Sequence, residues 1–298
     1  MNVQQTRNRR RQVKTRAGGA PAAGHHNPIN VNIAESQVMT TTDELARKAE
    51  DFSDYLPTHS PVPAISPDYS RIQVPLMWGG IWQVAGLDGK LRSFATISAQ
   101  CVNGFDFGLQ HQIRVGLTMG ITPQQIKGIF IELMFYAGVP ATVFALQQAQ
   151  RVIDGREEWK ALDVPLESDW LDTIEAMRER GRETRRRHWG EQANREIEDS
   201  LARRMVPEAA DLVDAYHYGE VWARADLSPR ERMVCILAAL MSRGHMKQLR
   251  RHIGYALDTG LDRKEICEVF AQAGWYRGWP CVEDALEQAR DVFDERGV

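Results

Sequence analysis

Ser228-Pro229-Arg230-Glu231 reads as the start of a helix, and the residues that follow decide what kind of fold this is. Serine at the cap, proline at the first helical position and glutamate three residues after the cap form a capping box, so a helix is expected to run to about Arg243. Gly244 stops it. A second helix, from His245 to Thr259, carries Leu249, Ile253, Ala256 and Leu257 at helical spacing and ends at Gly260. Asp262-Arg263-Lys264-Glu265 starts a third, which buries Ile266, Val269, Phe270 and Ala273 and ends at the turn Tyr276-Arg277-Gly278-Trp279-Pro280. A fourth carries Val282, Leu286, Ala289 and Phe293.

The same pattern stands 140 residues earlier, without a gap. Trp82, Leu87, Arg92, Gly104, Leu109, Gly120, Ile126, Phe130, Tyr136, Gly138, Pro140 and Ala149 match Trp222, Leu227, Arg232, Gly244, Leu249, Gly260, Ile266, Phe270, Tyr276, Gly278, Pro280 and Ala289. The matches fall on punctuating glycine and proline as well as on apolar positions, which marks an internal repeat. Thr122-Pro123-Gln124-Gln125 rebuilds the capping box as well.

These residues carry a resemblance. The second copy has Tyr218-Gly219-Glu220-Val221-Trp222-Ala223-Arg224, then Leu249-Arg250-Arg251-His252, Gly260 and Trp275-Tyr276-Arg277-Gly278-Trp279-Pro280. It resembles the carboxymuconolactone decarboxylase family of the alkyl hydroperoxidase D-like superfamily, and the first copy resembles a more diverged member. The resemblance implies an all-α protein of two tandem helical domains, at 43–155 and at 156–298 with a linker helix. It also implies a homo-oligomer, in which a trimer of this chain imitates a hexamer of single domains.

Composition bounds the rest. The chain has 298 residues, 43% hydrophobic and 26% charged, enough for one or two domains with a proper core. A net charge of −3 predicts no general affinity for nucleic acid or anionic membrane. The sequence has no apolar run near the roughly 20 residues that span a bilayer, and a cytoplasmic protein is expected. Cys101, Cys235, Cys267 and Cys281 lie far apart without a C-x-x-C pair, so neither a zinc site nor a disulfide framework is indicated. Residues 1–42, with Arg7-Asn8-Arg9-Arg10-Arg11, read as a disordered basic tail. Residues 156–204 read as a linker and a long surface helix, in which Arg185-Arg186-Arg187-His188 alternates with Glu179, Glu183 and Glu191 as a solvated face.

His245, Gln248 and His252 fall at i, i+3 and i+7 and share one face of the second helix. In the redox branch of the superfamily, cysteines stand where His245 and Gln248 stand here. A thiol peroxidase cycle is therefore not expected, since it needs a thiolate and a resolving thiol. By resemblance His252 is the family histidine, a proton donor, with His245 and Gln248 beside it as further candidate catalytic residues. Arg251 and Arg277 are candidate cationic groups for the substrate, and Tyr276 and Trp222 candidate pocket walls. His111, Glu132 and Tyr136 make a second candidate pocket in the first copy, where Gln112 replaces the histidine. No metal is expected, because His245 and His252 lie roughly 10 Å apart along a helix, and no cofactor is called for. The expected function is a cofactor-free lyase that decarboxylates a small carboxylated lactone or keto acid. The alternatives are a non-catalytic binding homologue, and an isomerase or hydrolase on the same pocket.

Overall fold

The computed structural model describes residues 41–52, 62–104, 106–166 and 172–298, and among them every regular element is helical. The expected basic tail lies outside the described residues apart from Thr41 and Thr42, as do Trp170 and Leu171 of the linker. Three helices, α1 (Thr42–Glu50), α2 (Val62–Ile65) and α3 (Pro67–Val74), lead into a π turn at Pro75–Gly80 and a 3-10 turn at Ile81–Gln83. Then come α4 (Gly89–Asn103), α5 (Asp106–Thr118), α6 (Pro123–Ala137) and α7 (Val139–Asp154). A short α8 (Glu157–Ala161), a long α9 (Ile174–Glu198), α10 (Leu201–Met205) and α11 (Pro207–Val213) bridge to the second copy. That copy repeats a π turn (Asp214–Tyr218), a 3-10 turn (Val221–Ala223), α12 (Pro229–Arg243), α13 (Met246–Asp258), α14 (Arg263–Arg277) and α15 (Pro280–Arg296).

Local chemistry sets these boundaries. Thr122, Ser228 and Asp262 each cap a helix with a reciprocal box, their side chains accepting from the N3 backbone while Gln125, Glu231 and Glu265 reach back. Gly104 and Gly244 end α4 and α12 at φ of 74° and 72°, a left-handed conformation that glycine adopts without a Cβ clash.

Helices α4 and α12 lie at the centre, pack on each other, and are buried over nearly their whole length. A helix apolar on all sides is one that neighbours must cover. Here the cover comes from both copies: α5 and α6 pack on α4 and α13 and α14 on α12, and in addition α14 packs on α4 and α6 on α12. One buried cluster therefore runs through both copies, from Leu87 and Phe94 to Phe270 and Phe293. Each copy's π turn is in turn clasped by a helix from upstream. A Cβ on Gly79 would lie 1.8 Å from the Leu45 carbonyl oxygen, and one on Gly219 would lie 1.9 Å from that of Met177.

Helix α9 departs from the surface helix expected there. Arg185, read as part of a solvated basic face, is fully buried, with Nε donating to Asn194 at 2.9 Å and guanidinium contacts to Glu198 and Asp214. The kink at Gly190 (φ 79°) returns the chain so that Asn194 and Glu198 meet Arg185. Arg186 and Arg187 do face solvent. Among the described residues no helix is long and apolar enough to cross a membrane.

Candidate active site

Helix α13 buries Leu249, His252, Ile253 and Ala256 and leaves His245 and Gln248 exposed at its start. His252 is thus the deepest polar group on the face that the sequence singles out. Its Nδ1–H donates to the Gln248 carbonyl oxygen one turn back, at 2.8 Å. A carbonyl can only accept, so this bond fixes the tautomer. The other ring nitrogen, Nε2, lies 3.2 Å from the Tyr136 hydroxyl. Burial lowers the His252 pKa to about 4, against a weaker opposing effect of the Gln248 carbonyl. Burial also holds the Tyr136 pKa well above its ordinary value, and the nearby phenols and Glu132 add to this. At neutral pH, then, Tyr136 keeps its proton and donates it to an uncharged imidazole. The resemblance makes His252 a proton donor; in this arrangement Nε2 carries no proton to give.

Tyr136 belongs to α6 of the first copy, and Glu132 lies one turn before it on the same face. Glu132 is fully buried. Its Oε1 accepts from His217 Nε2 at 2.9 Å and from Trp222 Nε1 at 3.2 Å, and its Oε2 accepts from Arg232 at 2.8 Å. Burial alone would raise the Glu132 pKa, but the hydrogen bonds and charges of His217 and Arg232 outweigh it and hold the carboxyl below its usual range. Arg232 is itself closed off, donating to Asp226 at 2.7 Å and to the Arg224 carbonyl at 3.1 Å. The result is a buried row of alternating charge, Asp226, Arg232 and Glu132, with His217 at its end. Such a row is tolerated because each member has partners.

His217, His252, His245, Gln248, Tyr136, Tyr218, Phe135, Val213 and Leu240 together line a cavity of about 400 Å³. His217 stacks on Phe135, with ring centres 4.2 Å apart, and meets Tyr136 edge-on at 5.6 Å. None of these lining residues is an arginine or a lysine. Among the described residues no group of three or more His, Cys, Asp or Glu side chains is placed to hold a metal ion.

The structure regroups the residues named from the sequence. His252, His245, Gln248 and Tyr136 share the cavity, with Glu132 and Trp222 directly behind it. Glu132 and Tyr136 therefore serve the second copy's histidine rather than a pocket with His111. His111 sits apart, edge-on to Trp78 at 5.9 Å. Tyr276 is the mirror image of Tyr136 and points the other way, into the first copy, where its hydroxyl accepts from Trp82 Nε1 at 3.0 Å. Arg277 donates to the Ser242 carbonyl at 2.8 Å, and Arg251 is exposed on α13 outside the cavity lining.

Around Tyr276 the first copy keeps half of the arrangement. Arg92 donates to Gln272 at 3.0 Å, to Glu268 at 2.8 Å and to the Val84 carbonyl at 2.6 Å, as Arg232 does to Glu132, Asp226 and the Arg224 carbonyl. Met77 and Gln112 stand in the places of His217 and His252, and Trp78 and Trp82 stack at 5.3 Å in a second apolar cluster with Met77. His217 escapes a reading by periodicity because it lies in a π turn, outside any helical spacing. The 140-residue offset is the signal that finds it, by setting His217 against Met77 and Glu132 against Gln272.

An all-helical duplication whose cavity of histidine and tyrosine side chains draws on both copies is the class of protein that fold and site define. The chain belongs to the carboxymuconolactone decarboxylase family, whose model matches residues 67–151 and 207–291, one region in each copy. It is 27% identical over 88 residues to the 4-carboxymuconolactone decarboxylase of Acinetobacter baylyi, an overlap of 30% of this chain and 66% of that protein. It is 30% identical over 88 residues to an uncharacterised 15.0 kDa protein from the nqo9-nqo10 intergenic region of Paracoccus denitrificans, covering 29% of this chain and 65% of that one. The chain thus spans just under two thirds of the length of both relatives.

Proposed function

We propose that this chain is a cofactor-free carboxy-lyase acting on a small carboxylated lactone or a related keto acid. The observation that carries the reading is the uncharged His252 held against the Tyr136 hydroxyl at the wall of the cavity. Loss of CO2 from such a substrate pushes an electron pair into the conjugated lactone and places negative charge on its oxygen. The Tyr136 hydroxyl has one proton, directed at His252 Nε2 in this structure, and would turn it to that oxygen as charge develops there; a preorganised donor of this kind is worth roughly 10²–10³ in rate. His252 orients Tyr136 for the task, and its own neutrality is what burial favours. The cavity lining holds no arginine or lysine to pin the substrate carboxylate as a permanent ion pair, which leaves it free to depart as CO2. His245 and the Gln248 side chain, exposed at the mouth, would select for the substrate's polar end.

The test follows lactone absorbance and CO2 together with 4-carboxymuconolactone as substrate, since the Acinetobacter baylyi relative bears that name. Wild type should release CO2. Tyr136→Phe should lower turnover about 10²-fold or more, and His245→Ala much less. A folded wild type that consumes no lactone, or that converts it without releasing CO2, would refute the proposal. The second of these outcomes would point to an isomerase or hydrolase in the same cavity.

A further inference from the structure

We propose that His217 delivers the proton to carbon, and that Glu132 of the opposite copy is the positioning residue that holds it for this task. The inference rests on the carboxy-lyase reading and completes it, because with Nδ1 given to the Gln248 carbonyl and Nε2 accepting from Tyr136, His252 has no proton to supply.

The comparison of the two copies carries the argument. Arg232, Trp222 and Tyr136 have their counterparts in Arg92, Trp82 and Tyr276, and the arginine grips the same backbone carbonyl in both places, that of Arg224 or Val84. These shared residues are what the fold needs. Several cavity positions differ, His245 against Phe105 and Tyr218 against Trp78 among them, but the buried ones that differ together are Glu132 against Gln272, His217 against Met77, and His252 against Gln112. Each change removes a titratable group, and each replacement is accommodated in a buried, packed setting. If His217 and Glu132 were there for packing, the first copy would need them too. Their joint presence beside His252, around the cavity, marks them as one working set.

Geometry gives His217 its role. The Nε2–H is committed to Glu132 at 2.9 Å, which leaves Nδ1 as the nitrogen available to the cavity that His217 lines. The ring stacks on Phe135 and also meets Tyr136 and Tyr218, with ring centres 5.6 and 4.6 Å away. In the proposed step the ring carries a proton on each nitrogen, Nε2–H held by the Glu132 carboxylate and Nδ1–H directed to the cavity. The step then balances. The carbon–carboxylate bond breaks, its electron pair enters the lactone to give a dienolate, and CO2 leaves. Nδ1–H gives its proton to the dienolate carbon, forming a C–H bond and leaving a neutral ring, which takes a proton back from water. The groups around His217 are Glu132 and Tyr136 on α6, Arg232 on α12 through Glu132, His252 on α13 with His245 at its start, and Tyr218 on its own turn, whose ring lies under Arg185 of α9.

The experiment uses the full chain with 4-carboxymuconolactone in D2O, reading CO2 and the deuterium content of the product by NMR. Wild type should place one deuterium on a single face of the carbon. His217→Gln should lower turnover about 10²–10⁴-fold and scramble the face, because solvent then delivers the proton. His217→Met, the side chain that the first copy accommodates as Met77, serves as the second variant should His217→Gln fold poorly. Glu132→Gln, which installs the side chain that the other copy carries as Gln272, should lower kcat with KM near wild type. A folded His217 variant with wild-type turnover and single-face deuteration overturns this assignment and leaves the carboxy-lyase reading standing. If wild type releases no CO2, that reading fails, and hydrogen exchange into the decarboxylated lactone is read instead. Exchange lost in both His217 variants upholds the assignment; exchange that is absent in wild type or unchanged in the variants overturns it.

Discussion

Replacing His252 by glutamine, the residue that the first copy carries as Gln112, should flatten the loss of stability that the protein suffers on acidification. His252 is 9% exposed, and burial brings its pKa from 6.5 down to about 4. The folded value is depressed, so the unfolded chain binds the proton more readily. The stability contributed by a neutral His252 is therefore complete above about pH 6.5 and is lost as pH falls toward about 4. The gap between the two values corresponds to about 3 kcal/mol in full, of which about 2.5 kcal/mol is gone by about pH 4.5. His111, brought to about 4 mainly by burial, acts in the same direction. It does so equally in wild type and variant, and cancels from the comparison. Urea unfolding at about pH 7.5 and about pH 4.5 reads the effect, with wild type expected to lose about 2 to 3 kcal/mol more than His252→Gln between the two. Losses equal to within about 0.5 kcal/mol would refute the claim that His252 is held uncharged in the folded protein.

Gly219→Ala would set a Cβ 1.9 Å from the Met177 carbonyl oxygen, forcing α9 off the π turn that carries His217. A stability loss of about 2 kcal/mol or more, with turnover lost alongside, is expected in thermal melting and CO2 assays, and an unchanged melting temperature would refute it. No thiol-dependent peroxide consumption is expected, because the four cysteines form no C-x-x-C pair and burial lifts the Cys101 thiol to about 12 and that of Cys235 higher still. Turnover with a dithiol reductant that disappears on changing a single cysteine to serine would overturn this. Assembly into trimers is expected to cover exposed apolar residues such as Val139, Val143, Leu212 and Val213, and a monomer in light scattering at micromolar concentration would exclude it.

Much of the architecture is legible in the sequence because its signals are local. Thr122, Ser228 and Asp262 announce helix starts through the hydrogen bonds they make three residues on, and Gly104 and Gly244 announce stops through a backbone angle. The face of α13 is legible for the same reason, since a spacing of three and four residues fixes which side chains neighbour one another. What the pattern does not contain is the partner of each face. Tyr136 and Tyr276 occupy the same place in the repeat, and periodicity cannot say that α6 crosses to α12 while α14 crosses to α4. Reading each copy as self-contained sets Tyr276 beside His252 and Tyr136 beside His111, whereas the crossing sets Tyr136 beside His252 and Tyr276 beside Trp82. Arg185 misleads on similar grounds: alternating charge suggests solvent, but the acceptors that bury it, Asn194, Glu198 and Asp214, arrive only after the chain has turned back.

The packing of α6 and α14 across both copies has a consequence for symmetry. Two identical chains packed in this way would be obliged to carry the same residue at both equivalent places, so that histidine at one site would mean histidine at the other. Joining the copies in one chain removes that obligation. One pseudo-equivalent centre holds Met77, Trp78 and Trp82 as a packed aromatic wall, while the other holds an open cavity with three imidazoles. Cavities weaken a protein and tight aromatic packing strengthens it. The fused chain can set the rigidity of one centre against the looseness of the other, a division of labour closed to a dimer of identical halves.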